Sequence, residues 1–352
     1  MGRIVDARQA RRLAMAAAVA AALLVGSEAA LRLADAGAPI WHRPDPALGW
    51  TLRPYAHGEQ SGVYAAVNSF GQRDVRHELD KRRGVYRIAV LGDEYSEAIG
   101  VPLRETWWWQ LPLALERCGI GADRRIEVLN FGVAGYSTAQ EALLLESAVL
   151  RYRPDLVLVQ LSQGDDVREN SFALALRRDR PFFRLAGGGA LRLDESFVDL
   201  EAFERASQFR YDLAREVTDF SRLLQLAHRA EALRSAHADP GGALAALQPP
   251  ADPRWEEAWT VTGKLLVRMR DAAARYGARL AVVAVPHPLQ LEQPLPYADT
   301  RLAELGRASA IPVLALEGLQ RQFYAPGGGW TPAGHRTAAE AAARGLCRAL
   351  AE

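Results

Sequence analysis

The apolar and polar positions of this chain change rhythm near residue 85. From there on, short apolar runs alternate with stretches of helical spacing. Arg87–Leu91 is an apolar run closed by Gly92, Ile126–Leu129 is a second, and Asp155–Leu161 is a third and continuous one. Arg279–Val285 is a fourth, and Ile311–Leu316 is a short fifth. Runs of this length predict strands, whereas Glu105–Arg117, Thr138–Tyr152, Leu265–Tyr276 and Pro332–Leu350 keep the spacing of helices. Short apolar strands alternating with helices imply an α/β fold with a mostly parallel five-stranded sheet covered on both faces. Functional groups in such a sheet gather at the carboxyl ends of its strands. The segments after Leu91, Leu129, Leu161 and Val285, and the loop before the last helix, are therefore the ones to search.

The rest of the chain divides around this core. Arg3, Arg8, Arg11 and Arg12 precede an apolar run from Leu13 to Gly26, the pattern of a secretory segment. Glu28 and Arg32 interrupt it, but the apolar pattern resumes at Ala29–Leu33 without a turn signal. Residues 1–36 are read as an uncleaved signal anchor, the alternative being a signal peptide cut near Ala34-Asp35-Ala36. The membrane is engaged through residues 13–34, with the N-terminus cytoplasmic and the main domain periplasmic or extracellular. Residues 37–84, rich in Pro, Gly and polar residues, read as an extended lead-in packed on a main domain at 85–352. An insertion at about 168–252 begins with a hairpin, Pro181–Leu193, across Gly187-Gly188-Gly189. A long helix, Asp212–Arg234, and a loop, Ala236–Pro253, follow it.

Composition narrows the function classes. The net charge of +1 gives no field for a polyanion, and only Lys81 and Lys264 among 43 basic residues are lysine. The arginines are scattered, so no nucleic-acid groove is expected. Cys118 and Cys347 form no CxxC pair, so no zinc or thioredoxin-like site is implied. They are expected to be two buried free thiols, with a single disulfide as the alternative if the domain is exported.

Four segments at the expected strand ends resemble the conserved blocks of the SGNH (GDSL) hydrolases. Val90-Leu91-Gly92-Asp93-Glu94-Tyr95-Ser96-Glu97-Ala98-Ile99-Gly100-Val101 resembles the first, and Asn130-Phe131-Gly132-Val133-Ala134-Gly135-Tyr136-Ser137 the second. Gln163-Gly164-Asp165-Asp166 is similar to the third, and Gly329-Trp330-Thr331-Pro332-Ala333-Gly334-His335 to the last. Leu48-Gly49-Trp50 and Asn68-Ser69-Phe70-Gly71-Gln72-Arg73 resemble the lead-in of an exported, single-anchor branch, whose layout is that of envelope polysaccharide esterases and O-acetyltransferases. The resemblance spans roughly residues 40–165 and 275–350 and implies a flavodoxin-like three-layer sandwich. It also implies a serine nucleophile after Gly-Asp, a last-block histidine oriented by an aspartate, and an oxyanion hole of backbone N–H groups and an asparagine. Here those positions hold Glu94 (serine), Gly329 (histidine), Pro326 (aspartate) and Asp165 (asparagine); only the glycine, Gly135, is kept. Losing one triad member costs orders of magnitude in rate, and here none remains.

Substitutes for the missing groups are few. Ser96 and His287 are the candidates for relocated chemistry, though a structural hydroxyl and a loop histidine are the ordinary readings. Ser162 and His335 read as structural, and Trp107, Trp108 and Trp109 read as core before they read as a sugar- or acyl-binding wall. Asp93, Glu94, Gly135, Gly164, Asp165 and His287 would line a cleft. Its carboxylates would raise one another's pKa for acid–base chemistry or ligate a hard cation, with Glu94 and Asp165 as the ligands, while Asp93 and Asp166 match structural family positions. The expectation is a catalytically degenerate SGNH-like protein, with no cofactor, serving as a glycan- or lipid-binding or accessory subunit with protein partners in envelope or exopolysaccharide assembly. The alternative is an enzyme of altered chemistry using Glu94 and Asp165. An active serine esterase or acyltransferase with a relocated nucleophile ranks last.

Overall fold

Val85–Leu91 and Leu156–Ser162 are mostly apolar and buried at all seven positions, as strands inside a sheet covered on both faces are. The computed structural model describes residues 7–34, 36–60, 62–120, 123–207, 215, 217–235, 240–325 and 328–351. In the lead-in, strand β1 (His42–Asp45) pairs antiparallel with β2 (Gly49–Leu52), and β3 (His57–Gln60) with β4 (Val63–Ala66). The core strands are β5 (Val85–Leu91), β6 (Arg125–Asn130) and β7 (Leu156–Ser162). After the insertion hairpin, β8 (Phe182–Leu185) with β9 (Leu191–Asp194), come β10 (Arg279–Val285) and β11 (Val313–Ala315). The sheet order is β11-β10-β7-β5-β6, with every pair parallel. Counted along the core this is 2-1-3-4-5, the flavodoxin-like doubly wound order, with its switch point between β5 and β7.

Alternate side chains of β5 feed two cores. Ala89 and Leu91 pack under the helices Thr138–Ser147, Pro253–Arg275 and Tyr297–Ser309. Ile88 and Val90 pack under Trp107–Leu115 and Pro332–Ala351. The three layers follow from this alternation.

Several boundaries differ from the sequence expectation for identifiable reasons. Asp155 stands before β7 because its carboxylate is engaged at a turn, accepting from Arg87 N (2.7 Å) and Lys81 Nζ (2.9 Å). Ile311 stays outside β11 because its N–H closes the preceding helix on Gly306 O (2.9 Å). The helix before β10 starts at Pro253 rather than Leu265, since Asp252 accepts from Arg254 N and Pro253 suits a first turn. Part of the expected loop 236–253 is the helix Pro240–Ala246. The expected helix Asp212–Arg234 falls partly outside the described residues; its described remainder is helical at 217–220 and over Arg222–Ser235, broken at Ser221. The extended lead-in contains the two hairpins.

The helix Ala7–Leu33 runs unbroken through Glu28 and Arg32, which pair across one turn at 2.8 Å. Its 27 residues are long and apolar enough to cross a membrane, and none is buried in the protein. At 1.5 Å per residue it spans about 40 Å, against about 30 Å of hydrocarbon.

The expectation of free thiols is overturned: Cys118 and Cys347 form a disulfide with Cα atoms 5.9 Å apart. Cys118 closes the turn after Trp107–Leu115, Cys347 lies on the last helix, and these two helices pack side by side on one sheet face. The bond joins residues 229 apart, so it restricts most of the unfolded chain. Replacing Cys347 with Ser should therefore destabilise the domain by about 2–4 kcal/mol. Thermal melts with and without reductant check this: the wild type should drop to the variant's melting temperature on reduction, and the variant should not respond.

Candidate functional site

At the switch point side chains add to the strand pairing that holds the end of β5, where Leu91 lies opposite Val159 of β7. Gly92 lies so close to β7 that a Cβ would stand 2.4 Å from Gln160 Oε1. Asp93 turns inward, buried, to accept from Tyr95 N (3.0 Å) and from the hydroxyl of Ser162. Its own N–H donates to Gln160 Oε1 (3.2 Å). Burial raises the Asp93 carboxyl to about 6. The chain then opens a short helix, Glu94–Glu97, and its first side chain faces the second block: Gly135 N donates to Glu94 Oε2 at 3.3 Å. Glu94 is half-buried. Desolvation, then the charge of Asp93, pushes it from its ordinary 4.5 up to about 8.

The position of a histidine that would take a serine's proton carries no side chain here. Gly329 sits against this turn, a Cβ built on it lying 3.9 Å from the Glu94 carbonyl oxygen, so the last block reaches the first as the family spacing implies. It brings no imidazole. Pro326 lies outside the described residues.

Ser96 is sealed in. Fully buried, its hydroxyl donates to Gln160 Oε1 (2.9 Å) and accepts from Trp107 Nε1 (3.3 Å). Its carbonyl accepts from Trp108 Nε1 (2.9 Å) and Asn130 Nδ2 (3.0 Å). Trp107 and Trp108 are accordingly fully buried core, with Trp109 packed at its edge. His335 is also buried: its Nδ1 accepts from Trp107 N (3.2 Å), and desolvation pushes its pKa down to about 3, keeping the ring neutral.

The third block separates its two aspartates. Asp166 is buried and accepts from Ser162 N (2.6 Å). Asp165 points outward, 48% exposed, and pairs with Arg168 Nη2 at 2.9 Å. Gly164 is covered by the His287 ring, whose Cδ2 would lie 2.6 Å from a Cβ there. His287 Nδ1 accepts from Leu289 N (3.2 Å) at the head of the helix Pro288–Glu292, and burial lowers its pKa. Among the described residues no three His, Cys, Asp or Glu side chains are grouped to hold a cation.

Two carboxylates escaped the sequence reading. Glu141, on the first turn of Thr138–Ser147, is buried with neither oxygen hydrogen-bonded, and burial raises its pKa well above the ordinary value. The alternation of apolar residues around it is the signal that places it on the inner face. Glu97 is buried and accepts from Ala134 N (2.6 Å) and pairs with His42 Nε2 (2.8 Å). Nothing in the sequence joins His42 to Glu97, because the lead-in docks there only in three dimensions. Beside this pair and Gly135 opens a cavity of about 610 Å³ between the lead-in and the insertion. Trp41, Arg43, Trp50, Arg177 and Phe203 line it, and the Arg177 guanidinium lies 4.0 Å from the centre of the Trp50 ring.

No family model matches the chain. An arylesterase from Vibrio mimicus is 30% identical over 82 residues, which is 23% of this chain and 39% of that protein. The match thus spans well under half the relative's length. Among solved structures, TesA is similar at 13% identity, covering 74% of this chain and 97% of that one with a TM-score of 0.40. A lipase from a goat rumen metagenome is similar at 11%, 74% and 97%, TM-score 0.40. An acetylxylan esterase from Geobacillus stearothermophilus is similar at 10%, 74% and 94%, TM-score 0.38. Likenesses this distant carry no inference about activity.

Glu94 gives a test in solution. Between about 4.5 and about 8 the folded protein holds a proton there that the unfolded chain releases. Its contribution is full below the lower value and lost as pH rises through the upper one. The melting temperature should fall across that window, and Glu94→Gln should reduce the fall; equal slopes in both proteins would remove the raised pKa. With strand order 2-1-3-4-5 and the four motif segments gathered at its strand ends, the chain has the fold of the SGNH (GDSL) hydrolases.

Proposed function

We propose that this protein is a membrane-anchored binding or accessory subunit of cell-envelope or exopolysaccharide assembly or modification, built on an SGNH fold without serine chemistry. One observation carries the reading: the carboxyl group at the nucleophile position is hydrogen-bonded to the Gly135 N–H, the donor an oxyanion would need. A carboxyl group there occupies that donor and supplies no hydroxyl nucleophile, and the hydroxyl of Ser96 is fully buried against Gln160 and Trp107. The disulfide favours an oxidising compartment, and the arginines ahead of the apolar helix favour a cytoplasmic N-terminus with the domain outside.

The ligand we assign to the cavity is a glycan or a lipid headgroup. Trp41 and Trp50 offer apolar faces, and arginines beside them suit an acidic group. A second reading has one observation in its favour: a carboxyl raised to about 8 is protonated at neutral pH, the state a general acid requires.

Labelling by a fluorophosphonate probe decides the chemistry. The full-length protein in detergent should remain unlabelled under conditions that label an active serine esterase. Labelling abolished by Ser96→Ala would overturn the loss of serine chemistry. Hydrolysis of glycan or ester substrates that falls at least tenfold in Glu94→Gln would replace the accessory reading with the acid–base one.

A further inference from the structure

The anchor helix does not leave the domain on a loose tether; its last two turns grip the insertion. Glu28 Oε1 accepts from Arg222 N (3.0 Å), and its Oε2 accepts from Leu223 N and Ser221 Oγ (both 3.1 Å). These are N–H groups that the first turn of the helix Arg222–Ser235 leaves without intrahelical partners. Arg32, paired with Glu28, donates to the Phe220 carbonyl. Just beyond the anchor, Gly37 runs so close that a Cβ would lie 2.6 Å from Gln225 Oε1, and Arg53 of the lead-in pairs with Asp219. Residues 217–226 are thus tied to the end of the apolar span from two sides.

This segment is apolar where it faces out. Phe220 is 78% exposed, Val217 50%, and Leu224 and Leu226 44% each. Single exposed apolar side chains are ordinary, but four within ten residues, clamped beside a membrane-length helix, form a patch that asks for a partner. The apolar run Leu13–Gly26 rises only about 21 Å, so the roughly 30 Å of hydrocarbon also takes in part of the flanking turns, and Glu28 and Arg32 lie at its outer edge. The clamp therefore stands at the level of the lipid headgroups, where aromatic side chains are favoured.

We propose that the segment Val217–Leu226 seats in the interfacial layer of the membrane that the anchor crosses, with Phe220 inserted at the headgroup–acyl boundary. The proposal rests on the anchored reading above and goes beyond it. Two attachments, one spanning and one interfacial, fix the orientation of the domain where one helix alone leaves it free to swing. They also hold the cavity corner formed by Pro39–Arg43 on the membrane side of the molecule, since Pro39 follows the clamped Gly37 by two residues.

Full-length protein carrying Phe220→Cys, labelled with an environment-sensitive fluorophore and reconstituted in phosphatidylglycerol–phosphatidylethanolamine vesicles, tests this. Emission should shift to the blue and be quenched by lipids spin-labelled near the headgroup. A label at Tyr276→Cys, exposed at the amino end of β10, should respond only to aqueous iodide. Val217→Cys repeats the measurement should the Phe220 variant fold poorly. A water-like, iodide-quenched label at both positions, in protein that resists alkaline extraction, would overturn the interfacial seat and leave the anchor standing. Release of the protein by alkaline wash would overturn the anchor, and the seat with it.

Discussion

The Asp93 carboxylate holds the strand ends together. It joins the turn after β5 to the end of β7 across the switch point, the one place where a doubly wound sheet leaves a crevice. Gln160 completes the tie: its Oε1 accepts from Asp93 N and Ser96 Oγ while its Nε2 donates to Ser162 Oγ (3.1 Å). Asp93 and Ser96 are therefore turned inward, and the residue between Asp93 and Tyr95 must face the crevice. Whatever stands at 94 meets the Gly135 N–H. At that place stands a carboxyl group that the same surroundings push towards neutrality.

The upward pull of burial on carboxyl groups extends behind the crevice. Asp93, Glu141 and Asp166 are all buried, and burial raises each. A carboxyl group out of water is cheaper protonated than charged unless a cation or several donors meet it, and here they are few. Asp165 lies apart from them, half exposed and paired with Arg168. The acidic cluster that the sequence suggests at the strand ends is in fact two environments, buried carboxyl groups with raised pKa inside and an ion pair outside. Among the described residues no three His, Cys, Asp or Glu side chains converge to replace a hard cation's hydration shell.

The sheet was legible in the sequence because strands buried on both faces leave continuous apolar runs, and β10 falls exactly where its run does. Boundaries slipped where a single bond outweighed the pattern, as at Asp155 and Ile311. The site was legible as a set of places: blocks one, two and four do converge, with Gly329 beside the Glu94 backbone. Its partners were not. The His42–Glu97 pair and the Cys118–Cys347 bond join residues 55 and 229 apart, and no local pattern carries such distances. The thiol expectation failed because it weighed spacing in sequence, whereas two helices on one sheet face set the spacing in space.

Glu97 shows what the retained architecture still does. One buried carboxylate holds the Ala134 N–H of the second block and His42 of the lead-in, and Arg73 lies close enough for its charge to be felt. The first block, the second block and the lead-in hairpin therefore meet at a single side chain, and the cavity wall is built from that meeting. Trp50 Nε1 reinforces it from β2 by donating to the Ala134 carbonyl at 3.0 Å. Nothing in this arrangement needs a serine or a catalytic histidine. The contacts that shape the cavity, Glu97 with Ala134 and His42 and Trp50 with Ala134, involve neither Glu94 nor Gly329, so the walled site stands independently of the residues at those positions.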